Sequence, residues 1–187
     1  MGELAPTKRS PSDNEGHQHF VTDTAGKANL SLSVLFDALG DQIRDGEYPL
    51  HIAVANGAPN SVIEMMVREA DDVVLMTNKH GETPLHIALA NETSSGDADL
   101  VTLLAGQGLS VLRTKEKRYG NLPIHVAAIH GCSVEVAKKL LGLHPNSIHE
   151  MNNDLKTPLD LALENGRCSM DIMRLLKISD DSEDVNE

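Results

Sequence analysis

The sequence predicts an all-α solenoid, a row of short helix-turn-helix units stacked side by side. Three observations carry that expectation. A proline-centred stretch occurs four times, as Gly-Glu-Tyr-Pro-Leu-His-Ile-Ala at 46–53, Gly-Glu-Thr-Pro-Leu-His-Ile-Ala at 81–88, Gly-Asn-Leu-Pro-Ile-His-Val-Ala at 120–127 and Leu-Lys-Thr-Pro-Leu-Asp-Leu-Ala at 155–162. The prolines, Pro49, Pro84, Pro123 and Pro158, are 35, 39 and 35 residues apart, and self-similarity at a period of about 20–50 residues marks a repeat array. Each stretch is also followed by a second apolar stripe of helical spacing.

The repeated stretch reads as a helix start with its cap attached. Proline suits the first helical position, where φ is already set and no N–H is wasted. Thr83 and Thr157 precede two of the prolines, and a threonine hydroxyl there can accept a bond from an N–H of the first turn. In the first repeat, helix A is predicted from Pro49 to Asn56, with Gly57 at the reversal. Helix B carries Val62, Ile63, Met66 and Val67 on one stripe. Val73 and Val74 are expected to lead through an extended segment to a tip at Lys79-His80-Gly81. The third repeat fits this template without a gap, with Val136, Ala137, Leu140 and Leu141 on the matching stripe. In the fourth, Ile172, Leu175 and Leu176 fall at the same offsets.

The second repeat is four residues longer. Three of the extra residues are placed in Asn91-Glu92-Thr93-Ser94-Ser95-Gly96, which leaves Leu100, Val101 and Leu104 on the packed stripe. The remaining one is placed between Leu112 and Pro123. Polar insertions of this kind belong in loops, where added length costs little.

T-P-L-H-x-A is the hallmark of the ankyrin repeat, and the chain resembles that family over roughly residues 45–178, in a variant of about 35 residues per repeat. The resemblance implies an ankyrin solenoid whose helix pairs are joined by short hairpin loops. It also implies that His51, His86 and His125 hold those loops by hydrogen bonds to backbone and to the capping threonine. Departures are visible. Tyr48 and Leu122 replace the threonine, Leu155 replaces the glycine, and Asp160 replaces the histidine. The fourth repeat is therefore degenerate, with a hairpin expected to be irregular.

Residues 30–178 form the expected domain, with three clear repeats, the degenerate fourth and a partial N-terminal cap over Leu30 to Ile43. Residues 1–29 read as a disordered tail, poor in apolar periodicity. Residues 179–187, with five acids and no base, read as a second, acidic tail.

Composition excludes several functions. The net charge is −12, which argues against nucleic acid and anionic membrane as partners, since phosphate binding needs a cationic surface. No apolar run is long enough to span a bilayer, and Met1 is followed by polar residues rather than an apolar leader segment. Cys132 and Cys168 occupy similar places in neighbouring repeats. Packed helices lie about 8–10 Å apart and a disulfide needs Cα atoms within about 7 Å, so both are expected as free thiols in a reducing compartment. An intracellular protein, cytoplasmic or nuclear, and a monomer, is the expectation.

His51, His86 and His125 recur once per repeat, so the fold spaces them about 10 Å apart, too far for one zinc with its bonds of about 2.0–2.1 Å. His17-Gln18-His19 lacks further ligands. His130-Gly131-Cys132 offers a Cys/His pair without a third, orienting group. Met65 and Met66 fit helix B packing. The sequence has no Gly-rich phosphate loop, G-x-S-x-G, H-E-x-x-H or C-x-x-C motif. No enzyme activity, metal or cofactor is expected.

One segment departs from the acidic background. Arg113, Lys115, Lys117 and Arg118 fall within six residues, opposed only by Glu116 and followed by Tyr119. They are either a solvated loop or part of a partner surface. Loop tips on a rigid scaffold are where binding residues usually sit, and Arg and Tyr are enriched at binding hot spots. Arg113, Lys115, Lys117, Arg118 and Tyr119, with Lys79 and His80 on the preceding tip, are the candidate binding residues. Pro49, His51, Thr83, Pro84, His86, Pro123, His125, Thr157 and Pro158 are the candidate structural ones. The family resemblance implies a non-catalytic protein-binding module, an adaptor or stoichiometric inhibitor that uses hairpin tips and helix A. The alternative is a subunit of an enzyme complex, regulatory or with an unrecognised catalytic site.

Overall fold

A computed structural model describes residues 48–69, 72–91 and 96–178. The expected tails and the cap over 30–43 lie outside the described residues. Among these residues there are nine α-helices, one 3-10 helix and no strand. The helices are α1 (Pro49–Ala55), α2 (Asn60–Glu69), α3 (Pro84–Ala90), α4 (Ala98–Ala105), α5 (Leu109–Arg113), α6 (Pro123–His130), α7 (Val134–Leu143), α8 (Pro158–Asn165) and α9 (Met170–Ile178), with the 3-10 helix at Pro145–Ile148.

The helices form two layers. In one, α1, α3, α6 and α8 pack in sequence, each on the next; in the other, α2, α4, α7 and α9 do the same. The proline-centred motif builds the first layer. Its proline is the first helical residue each time. The next residue, Leu50, Leu85 or Ile124, is buried, and so are Ala53, Ala88, Ala127 and Ala162 three residues further on. Alanine at that place lets neighbouring helices approach closely. The stripes predicted for the second layer are likewise in the core, including Ile63, Met66, Leu100, Val101, Leu104, Ala137, Leu140, Ile172 and Leu176.

Three expectations are corrected. The segment after helix B begins as a turn rather than running directly into extended chain. Val73 and Val74 sit in a turn closed by the Leu75 N–H on the Asp72 carbonyl. The equivalent places hold α5 in the second repeat and the 3-10 helix in the third. An added helical turn buries Val111, Leu112 and Ile148 against the core, which an extended chain, with alternate side chains pointing outward, would not do. The fourth hairpin is not irregular, because Asn152 N–H bonds the Lys156 carbonyl at 3.0 Å as in the hairpins before it. The Thr83 hydroxyl, expected to accept from the first turn, instead lies 2.8 Å from His86 Nδ1.

The extra length of the second repeat falls in two places. The interval from the start of α3 to the start of α4 is three residues longer than that from α1 to α2. The last extra residue is in the hairpin. Asn78 pairs with Glu82 and Asn152 with Lys156, whereas Glu116 pairs with Asn121, one residue further on.

At the end of the described array one outward position of α8 stays apolar. Leu163 is 60% exposed, whereas its equivalents Val54, Leu89 and Ala128 are buried.

Candidate functional site

The hairpins stand in a row. Each is closed at its base by one backbone bond, Asn78 to Glu82, Glu116 to Asn121 and Asn152 to Lys156, all 3.0 Å. Inside two of them a buried asparagine organises the turn. Asn78 Oδ1 accepts the N–H groups of His80 and Glu82, and Asn152 Oδ1 those of Asp154 and Lys156. In the middle hairpin Glu116 takes that place. Its side chain is buried, and its carboxylate accepts the N–H groups of Arg118, Tyr119 and Asn121. The charge that seemed merely to oppose the basic cluster is therefore the group that folds it.

The hairpins are also tied to one another. The Lys117 N–H bonds the His80 carbonyl and the Asn153 N–H bonds the Tyr119 carbonyl, both at 2.8 Å. Asn152 Nδ2 donates to Asn121 Oδ1 at 2.9 Å. The histidines lock this row to the helices beneath. Nε2 of His51 donates to the Glu82 carbonyl at 2.9 Å, that of His86 to Asn121 at 3.2 Å, and that of His125 to Glu150 at 3.0 Å. On the other side of the ring, Nδ1 of His86 accepts the Thr83 N–H, and Nδ1 of His125 the Leu122 N–H. A nitrogen that accepts an N–H carries no proton of its own, so both rings are neutral with the proton on Nε2. Burial, the main cause, holds both below the usual histidine range, with the Asn121 and Glu150 carbonyls opposing.

In the fourth repeat Thr157 and Asp160 replace the histidine with a full capping box. Asp160 Oδ2 accepts from the Thr157 N–H and hydroxyl, while the Thr157 oxygen accepts the Asp160 N–H. A carboxylate caps the helix but has no second N–H to hand on to a further hairpin.

The candidate binding residues divide into two groups. Lys115 and Lys117 brace the row. Lys117 Nζ donates to the Lys79 carbonyl on the preceding hairpin and Lys115 Nζ to the Met151 carbonyl on the following one, each at 3.1 Å. Lys115 also lies 3.7 Å from the Glu150 carboxylate. The arginines point elsewhere. The Arg118 guanidinium stacks over the Tyr119 ring at 4.8 Å, and Tyr119 is 41% exposed. Arg113 ends α5 and lines an open cleft with Lys115, Leu122, His144, Asn146 and Glu150. Lys79 and His80 are exposed on the neighbouring tip. Sequence reasoning missed Glu116 as a turn former and missed His144, Asn146 and Glu150 altogether, since their proximity to the cluster arises only when the third repeat stacks on the second.

Among the described residues, Cys132 and Cys168 are buried free thiols. Burial pushes the Cys132 thiol up to about 12, the opposite of an activated nucleophile. Gly131 between His130 and Cys132 is the left-handed cap of α6. Among the described residues no cluster of His, Cys, Asp and Glu could hold a metal ion, and no helix is long and apolar enough to cross a membrane.

Paired helices in two layers, joined by a hydrogen-bonded row of hairpins, define a helical-repeat protein. A family model for ankyrin repeats (3 copies) matches residues 26–115 and 89–187, and the chain belongs to the ankyrin-repeat family. No curated protein matches it. Ankyrin repeats are generally protein–protein interaction modules.

Proposed function

We propose that this chain is a non-catalytic protein-binding module, acting as an adaptor or stoichiometric inhibitor inside the cell. It engages its partner through the hairpin row, with Arg118 and Tyr119 as the central anchors and Lys79 and His80 beside them. The observation that carries this reading is the middle hairpin. Glu116 fixes its shape, Lys115 and Lys117 tie it to the hairpins on either side, and that fixed tip holds out an exposed, stacked Arg–Tyr pair. A tip already rigid loses little conformational entropy on binding. Arg and Tyr are also the residue types that most often act as anchors.

The test is affinity capture followed by measurement with the captured protein. Arg118→Ala and Tyr119→Ala should each weaken binding at least tenfold, about 1.4 kcal/mol, with no change in thermal midpoint. Lys138→Ala, on the exposed side of α7, is the control. Affinities equal to wild type in both tip variants would remove the hairpin from the interface. A captured partner that is itself a catalytic chain would make the module a regulatory subunit.

A further inference from the structure

The cleft behind the basic hairpin has a volume of about 360 Å³ and is lined by Arg113, Lys115, Leu122, His144, Asn146 and Glu150. We propose that it receives an aspartate or glutamate side chain from an acidic, extended segment of the partner protein, with Arg113 as the anchor. The inference rests on the protein-binding reading above and goes beyond it by assigning a second site and the chemistry of its guest.

Three observations point to a carboxylate. First, Arg113 is an exposed cation whose guanidinium makes no hydrogen bond or ion pair with the described residues. A guanidinium of this kind matches the two oxygens of a carboxylate with two parallel N–H bonds. Second, Lys115 is only partly used. Its ammonium gives one bond to the Met151 carbonyl, and the Glu150 carboxylate stands off at 3.7 Å, beyond direct hydrogen-bond length. An ammonium has three donors, so an incoming carboxylate can take one without breaking the brace. Third, His144 is buried, and its Nδ1 is shut off from water with no hydrogen-bond partner. Its burial and the Arg113 charge both disfavour the protonated ring. An anion set against Arg113 offsets that charge.

Size and charge narrow the class. The cleft is at the small end of the range for ligand pockets, about 300–1,000 Å³, which suits one side chain better than a cofactor. Glu150 on its wall repels a dianionic phosphate more than a singly charged carboxylate.

The experiment uses the full chain and a fluorescein-labelled peptide of alternating glutamate and glycine, followed by fluorescence anisotropy at low salt. The glutamine counterpart should bind at least about tenfold more weakly. Arg113→Gln should lose a similar factor at unchanged thermal midpoint, and Glu150→Gln should bind more tightly, because the carboxylate competing for Lys115 is gone. Equal binding of the two peptides, or full binding by Arg113→Gln, overturns the assignment. So does a phosphoserine peptide that outcompetes the glutamate peptide by orders of magnitude. If the acidic peptide fails while a captured partner still depends on Arg118 and Tyr119, the cleft is wrong and the module reading stands. If the peptide binds through Arg113 while both tip variants keep full partner affinity, the cleft holds and the tip does not.

Discussion

The Glu116 carboxylate accepts the backbone N–H of Asn121 at 3.1 Å, closing from within a hairpin one residue longer than its neighbours. The two shorter hairpins use asparagine for this task. The longer turn takes a side chain with one more methylene and two acceptor oxygens. Removing it strands three N–H groups, and an unsatisfied buried donor costs about 1–3 kcal/mol. Glu116→Ala should therefore destabilise the chain by at least about 2 kcal/mol, read as a fall in urea midpoint. Glu116→Gln keeps one acceptor and should fall between the two. An alanine variant as stable as wild type would show that water or a rearranged turn satisfies those groups instead.

His86 and His125 make the array sensitive to mild acid. Both are held below the usual histidine range by burial, so the folded state favours neutral rings, and protonation favours the unfolded chain. The stability they contribute is complete above the unfolded histidine value of about 6.5. It is lost as pH falls below that value, by up to about 1.4 kcal/mol per pH unit for each ring, until the folded pKa is reached. Denaturant midpoints between pH 7.5 and 5.5 should decline, in a window where carboxylates remain ionised. His86→Gln should be less stable at pH 7.5 but show a shallower decline. A wild-type midpoint that is flat or rising over this window would contradict the neutral-ring assignment.

The layers were legible because each is written locally. A proline at the helix start, an alanine three residues after the buried leucine, and a stripe of helical period need no tertiary knowledge to be read. The locations of the extra residues in the second repeat were legible too, since a solenoid preserves offsets. What was hidden depends on neighbours. Leu109 to Arg113 is too short to show helical periodicity, and it is held by burying Val111 and Leu112. Glu116 read as a solvated charge because its partners are backbone N–H groups, which every sequence contains. Lys115 and Lys117 could not be told from Arg113 and Arg118 in one dimension. The distinction is set by carbonyls 36 and 38 residues away, on adjoining hairpins.

Leu155 stands where the two preceding hairpins have Gly81 and Gly120. It adopts the same left-handed backbone, with φ of 58° against 77° and 66°. Its side chain is 76% exposed, so little packing compensates. A non-glycine residue in this region is disfavoured by about 1–2 kcal/mol, while glycine gives back about 0.4–1 kcal/mol through its freer unfolded state. Leu155→Gly should raise stability by about 0.5–1 kcal/mol, seen as a higher thermal midpoint. A lower midpoint would mean that the leucine makes contacts worth more than its backbone strain.

Gly131 and Gly166 allow backbone strain to be separated from close packing. They cap α6 and α8 in equivalent positions, with φ of 76° and 62°. Alanine at either must enter the left-handed region, at a cost of about 1–2 kcal/mol. Their surroundings differ. A Cβ at Gly166 meets nothing within 4 Å, whereas one at Gly131 lies 2.6 Å from the Arg167 carbonyl oxygen and 3.0 Å from its carbon. That neighbour is backbone of the next repeat, so it cannot be relieved by turning a side chain. Gly166→Ala should therefore cost about 1–2 kcal/mol. Gly131→Ala should cost that plus the strain of a forced core contact, about 1–3 kcal/mol more. The extra loss is expected in the interface between the third and fourth repeats, so hydrogen exchange in α8 and α9 should quicken more than in α1 to α4. Equal costs for the two alanine variants would mean that the fourth repeat yields easily and that Gly131 is needed only for its backbone angle.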